Sequence, residues 1–91
     1  VHTPAELGTY GAIDCGLWVD SFLLAAEAMG IATCAQAAVA SRSPLLHEFF
    51  DIPDDRSVVC GIAFGRPDPD HPSARFTARR APVGDAAVFV D

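Results

Sequence analysis

The stretch that most constrains this chain is residues 14–38, DCGLWVDSFLLAAEAMGIATCAQAA. Between Leu17 and Met29 only Asp20, Ser21 and Glu27 are polar. Residues 9–29 read as one helix. Its apolar residues, among them Leu17, Phe22, Leu24, Ala25, Ala28 and Met29, do not fall on one stripe but wrap around the cylinder. Asp20 and Glu27 stand seven apart and so share a face, which is the one polar face. A helix that is apolar on most sides needs neighbours on most sides. Gly30, directly after Met29, is the expected left-handed C-cap.

A short chain struggles to supply those neighbours. A domain of 91 residues buries only about two-thirds of the surface its unfolded chain exposes. Yet 51% of the residues are hydrophobic. Apolar surface beyond what a small core hides implies a partner surface or a further piece of the same fold. The chain starts at Val1, without the charged-then-apolar pattern of a secretory leader, and the start reads as a cut in a longer chain.

Charge and cysteine usage exclude several function classes. The net charge is −6, with six arginines, no lysine and twelve acidic residues, so a basic nucleic-acid footprint is absent. Arg75, Arg79 and Arg80 nevertheless cluster near the C-terminus. They either form a site for one anion or sit on a solvated surface, paired with nearby acids. Cys15, Cys34 and Cys60 are odd in number and include no CxxC pair, which fits neither a disulfide framework nor a zinc site. Each lies among apolar neighbours and reads as a buried, reduced thiol, which fits a cytoplasmic location. Asp20 and Glu27 interrupt the best apolar run, so no membrane span of ~18 residues is expected.

Residues 31–34 read as a short strand or extended entry. Residues 31–41, IATCAQAAVAS, are small and uncharged. They suit either close approach of backbone to a ligand or a tightly packed connector. Ser43 and Pro44 open a second helix as N-cap and first helical residue, with Leu45, Leu46, Phe49 and Phe50 as its apolar face. DIPDDRS is a turn. Residues 57–65, SVVCGIAFG, read as one buried strand, with Gly61 marking close approach of another backbone. Pro4 suits the first turn of a helix. From Arg66 onward, four prolines and no helical pattern predict a long extended tail. Its last residues, AAVFVD, suit a strand added to a neighbouring subunit.

His2, His47 and His71 are scattered, and DPDH reads as a turn rather than a metal site. No nucleophile–base constellation, GxGxxG or P-loop is present, and no residue is assigned as catalytic or metal-binding. The element order is that of half an α+β domain, or of one completed by a partner.

Taken in sequence, these motifs resemble one family. The stretch DCGLWVDSFLLAAEAMGIATCAQAA resembles the helix and following turn in the C-terminal half of FMN-dependent nitroreductases. FFDIPDDRSVVCGIAFGRPDPDHP is similar to the family's next segment, and RRAPVGDAAVFV to its closing arginine, proline and last strand. The likeness runs from about Tyr10 to Val90. It implies a nitroreductase-like α+β fold, of which residues 1–91 are the partial, C-terminal portion. It also implies an intertwined homodimer with the long helix at its centre and FMN at the interface. NAD(P)H would reduce the flavin, which would then reduce nitroaromatics, quinones or similar small-molecule acceptors. By position, Ala35, Gln36, Ala37 and Ala38 match the turn that lays its backbone on the flavin ring and aims an amide at N5. Ala35 stands where many relatives carry proline. Arg80 matches the arginine that contacts the FMN phosphate, with Arg79 beside it as a weaker candidate. The family's N-terminal half, which grips much of the cofactor, has no counterpart in these residues, so the 91-residue chain is not expected to hold FMN alone. A different function class stays open: a non-catalytic dimerisation module of the same fold without flavin.

Overall fold

The computed structural model describes residues 1–90. Its spine is helix α1, Gly8–Ala28. At 1.5 Å per residue it is about 30 Å long. The stop signal is as expected. Gly30 takes φ +70°, which a residue with a Cβ adopts at a cost. Its N–H donates to the Glu27 carbonyl, and that of Ile31 donates to the Ala26 carbonyl, each at 2.9 Å. These two bonds are the Schellman closure, and they satisfy carbonyls the helix itself leaves free.

Two antiparallel sheets of two strands each accompany α1. Strand β1, His2–Pro4, pairs with β3, Arg56–Val58. Strand β2, Ala32–Gln36, pairs with β4, Gly61–Gly65. Helix α2, Ser43–Phe50, precedes β3. This helix-and-sheet composition is the expected α+β class. The single strand expected over residues 57–65 is divided. Val1 accepts from the Val59 N–H at 3.0 Å, and its nitrogen donates to the Cys60 carbonyl at 2.9 Å. Two residues thus oppose one, which is the arrangement of a bulge, and the chain turns out of one sheet and into the other.

Other expectations are corrected locally. Pro4 does not begin a helix; it ends β1 and precedes a 3-10 turn, Ala5–Leu7. Ser43 is not the cap of α2. Arg42 occupies that position without a side-chain bond, and Ser43 is already helical. The tail is not wholly extended. Pro72–Arg75 forms a 3-10 turn, capped by the His71 ring, which accepts from the Ser73 N–H. Val83–Ala86 forms a one-turn helix, α3, after Pro82. Proline's fixed φ favours both starts. Residues 87–90 form no strand within this chain, and Asp91 lies outside the described residues.

The core is thin. Gly11, Cys15 and Ala26 are the buried residues of α1, and Thr3 of β1 is buried as well. Trp18 stacks on Phe22 with centroids 5.4 Å apart, and Phe22 meets Phe64 of β4 edge-on at 5.6 Å. On the opposite side, Tyr10, Leu17 and Leu24 recur every seven residues and are 78%, 65% and 65% exposed. The helix that reads as needing neighbours all round therefore has them on one side only. The accessible surface is 7688 Å², against about 5,100 Å² for a folded monomer of this mass. The radius of gyration is 16.4 Å, against about 12 Å for a compact chain of this length. The strand segment expected to be buried is accordingly half-buried at best. Of the cysteines, Cys15 is buried, Cys60 is intermediate, and Cys34 is exposed, contrary to expectation, because β2 lies at the surface.

Candidate functional site

The four residues singled out in the sequence, Ala35, Gln36, Ala37 and Ala38, stay together, though not as one turn. Ala35 and Gln36 are the last residues of β2, opposite Ile62 and Gly61. Ala37 and Ala38 open a 3-10 turn, Ala37–Arg42. All four are exposed. Gln36 has extended backbone (φ −127°, ψ 96°) and gives the turn no side-chain cap. The first N–H groups of a helical turn have no partner within it. Those of Ala37 and Ala38 thus have no partner within the turn, and they stand beside methyl groups. Ser41 closes the other end, its hydroxyl donating to the Ala38 carbonyl at 2.7 Å.

Arg79 and Arg80 lie apart from this turn along the chain. They belong to residues 76–82, exposed and without regular structure, between the 3-10 turn at Pro72–Arg75 and α3. No element fixes their side chains relative to Ala37 and Ala38.

The histidines have structural partners. The His47 ring and the Ile52 carbonyl are 3.0 Å apart, a bond that ties the C-terminal end of α2 to the following turn. His71 bonds the Ser73 hydroxyl at 2.7 Å, and Asp68 accepts from the Asp70 N–H at 3.0 Å. DPDH is thus a turn held by its own side chains. Arg56 donates through Nε to His2 Nδ1 at 3.0 Å. Partial withdrawal from water, then the Arg56 guanidinium, hold His2 below its ordinary pKa of 6.5. Among the described residues, no three histidines, cysteines or acids stand close enough to hold a metal. No helix among them is long and apolar enough to cross a membrane.

Residues 2–66 match the model of the nitroreductase family. The chain belongs to the nitroreductase family. Among curated relatives, a 4-nitrobenzoate reductase of Nocardioides sp. (strain LMS-CY) is 38% identical over 78 residues, which is 86% of this chain and 32% of the relative. A 4-nitrobenzoate reductase of Pseudomonas putida is 31% identical, over 70% of this chain and 28% of the relative. An NADPH-flavin oxidoreductase of Vibrio harveyi is 32% identical, over 69% of this chain and 26% of the relative. The chain spans about a third or less of the length of these relatives. In this nitroreductase-family chain, residues 35–38 lie within the family match, whereas Arg79 and Arg80 lie beyond residue 66.

The backbone at Ala37 and Ala38 is open enough for a flat ring to approach. The residues are exposed, the side chains of Ala37 and Ala38 are single methyls, and Gln36 does not cap the turn. Sequence reasoning passed over one neighbour of this turn. An added Cβ at Gly61 would stand 3.2 Å from Val39, a side chain of the turn itself, and not against another backbone. The glycine was the legible signal; its partner was not.

Proposed function

We propose that this chain is part of an FMN-dependent, NAD(P)H-oxidising oxidoreductase of the nitroreductase type. The observation that carries the reading is the exposed strand-to-turn junction at Ala35, Gln36, Ala37 and Ala38, in a chain of that family. FMN, when bound, supplies the electron transfer from NAD(P)H to a nitroaromatic, a quinone or a similar acceptor. The chain's own part is positional. Ala37 and Ala38 offer backbone N–H groups that need no side-chain ordering, and their methyls let a ring come close. Such donors, aimed at the ring's reactive edge, tune where its charge is stabilised. Arg80, with Arg79 beside it, supplies a guanidinium whose fork matches a phosphate. Relatives named for 4-nitrobenzoate favour a nitroarene as the acceptor.

The uncovered stripe Tyr10, Leu17 and Leu24 supports a second subunit on α1. The excess surface supports further chain carrying the N-terminal half of the fold. Three free thiols suit the reducing cytoplasm.

The test is an absorption spectrum and a native mass on one sample of the protein together with the N-terminal half of the fold, with and without added FMN. A flavin-bearing dimer that oxidises NAD(P)H with 4-nitrobenzoate or a quinone is the expected result. A folded, colourless dimer that ignores FMN would replace this reading with a non-catalytic dimerisation module.

A further inference from the structure

The turn at Ala37–Arg42 needs something to fix its height above the sheet. Gln36, the last residue of β2, is paired with Gly61, the first residue of β4. Immediately after this pair the turn folds back over β4. A Cβ added at Gly61 would lie 3.2 Å from Val39 Cγ2, 3.3 Å from Cγ1 and 3.4 Å from Cβ. Those separations are tighter than a methyl tolerates unless Val39 yields. Gly61 does not have positive φ, so alanine there would strain no backbone, and its effect would be steric alone.

Val39 is next to Ala38 and two residues from Ala37, within one short turn. The Ser41–Ala38 bond closes that turn. Val39 and Gly61 border one open apolar pocket together with Leu46, Phe50 and Cys60. A larger residue at Gly61 presses on Val39 and, through it, on the turn that carries the Ala37 and Ala38 amides. We propose that Gly61 is a positioning residue: by lacking a side chain, it seats Val39 on β4 and so sets where the Ala37 and Ala38 amides stand for the flavin. This rests on the flavin reading above and adds to it a residue that does not itself touch the cofactor.

Gly65 supplies the control. It ends the same strand, and a Cβ there meets nothing within 4 Å. The experiment compares the natural protein with its Gly61→Ala, Gly65→Ala and Val39→Ala/Gly61→Ala variants. FMN affinity is read by titration, the flavin's visible spectrum and midpoint potential are recorded, and hydrogen exchange of residues 37–42 is followed without FMN. Gly61→Ala is expected to weaken FMN binding about fivefold, to shift the spectrum and the potential, and to speed exchange in the turn. Gly65→Ala is expected to change none of these. Removing the Val39 methyls in the double variant is expected to restore them. A Gly61→Ala protein that matches the natural one overturns the role of Gly61 alone. So does a double variant as impaired as the single, or unfolding of both. A natural protein that takes up no FMN even with the N-terminal half of the fold present overturns the flavin reading, and this role with it.

Discussion

At Gly11 a single hydrogen atom decides how closely β1 approaches α1. A Cβ there would stand 2.5 Å from Thr3 Oγ1 and 3.0 Å from the Thr3 methyl and Leu7 Cβ. Both Thr3 and Gly11 are buried. Gly11→Ala should therefore destabilise the fold by about 1–3 kcal/mol, the usual penalty of overpacking, despite alanine's better helix propensity. A urea midpoint at or above the natural one would contradict this contact. His2 gives a second prediction at the same scale. Its Nδ1 accepts from Arg56, so protonation removes an acceptor and sets two cations side by side. Because its folded pKa is lowered, the unfolded chain takes up this proton first. The contribution is present in full above the ordinary value of 6.5. It is lost as pH falls through 6.5 toward the lower folded value. The ring is exposed, so the effect is small and screened by salt. Urea melts of the natural protein and His2→Ala should converge as pH drops below 6.5; parallel curves would show that His2 does not titrate differently on folding. Arg80→Ala should weaken FMN binding by roughly tenfold or more, the loss of a charge-assisted contact. Unchanged affinity would take Arg80 out of the site.

The helices and strands show where local rules governed and where they were overruled. The end of α1 obeyed them, because a left-handed C-cap needs glycine whatever the surroundings. Gly30→Ala should cost about 1 kcal/mol or more, since φ is +70° and nothing stands near a new methyl to offset the strain. A thermal melt identical to the natural protein's would mean the Schellman bonds are not holding that end. The start of α2 did not obey the local reading. Ser43-Pro44 is a good cap signal, but the 3-10 turn at Ala37–Arg42 runs directly into the helix and draws Ser43 inside. The run SVVCGIAFG looked like one strand because composition shows β preference and not partners. Its two halves pair with different strands, and the Val59–Cys60 bulge opposite Val1 is invisible until Val1 arrives there.

For the whole molecule, surface is the governing quantity. Sixteen large hydrophobic side chains, counted among the described residues, are exposed, which is more apolar surface than a solitary chain of this size leaves to water. On α1 the uncovered stripe Tyr10, Leu17 and Leu24 lies opposite the inner residues Gly11, Cys15 and Ala26. Replacing Leu17 and Leu24 by glutamate should lower the native mass of the protein by light scattering, since charges at a buried interface carry a large desolvation cost. A native mass equal to that of the unaltered protein would count against the proposed subunit contact on α1.

Read alone, the sequence settles that there is a long helix apolar on most sides, where it stops, and that small residues follow it. These are local properties: a 3.6-residue period, a glycine that alone tolerates its φ, and the size of side chains. It also carried enough of the family pattern to point to the nitroreductases. That Ala35 and Gln36 end a strand while Ala37 and Ala38 begin a turn depends on the fold in space. It alone showed that Gly61 makes room for Val39, and that His2 faces Arg56. These facts depend on pairs of residues 22 and 54 apart along the chain. Their contact arises from which strands pair, β2 with β4 and β1 with β3, and no local preference of either partner encodes it.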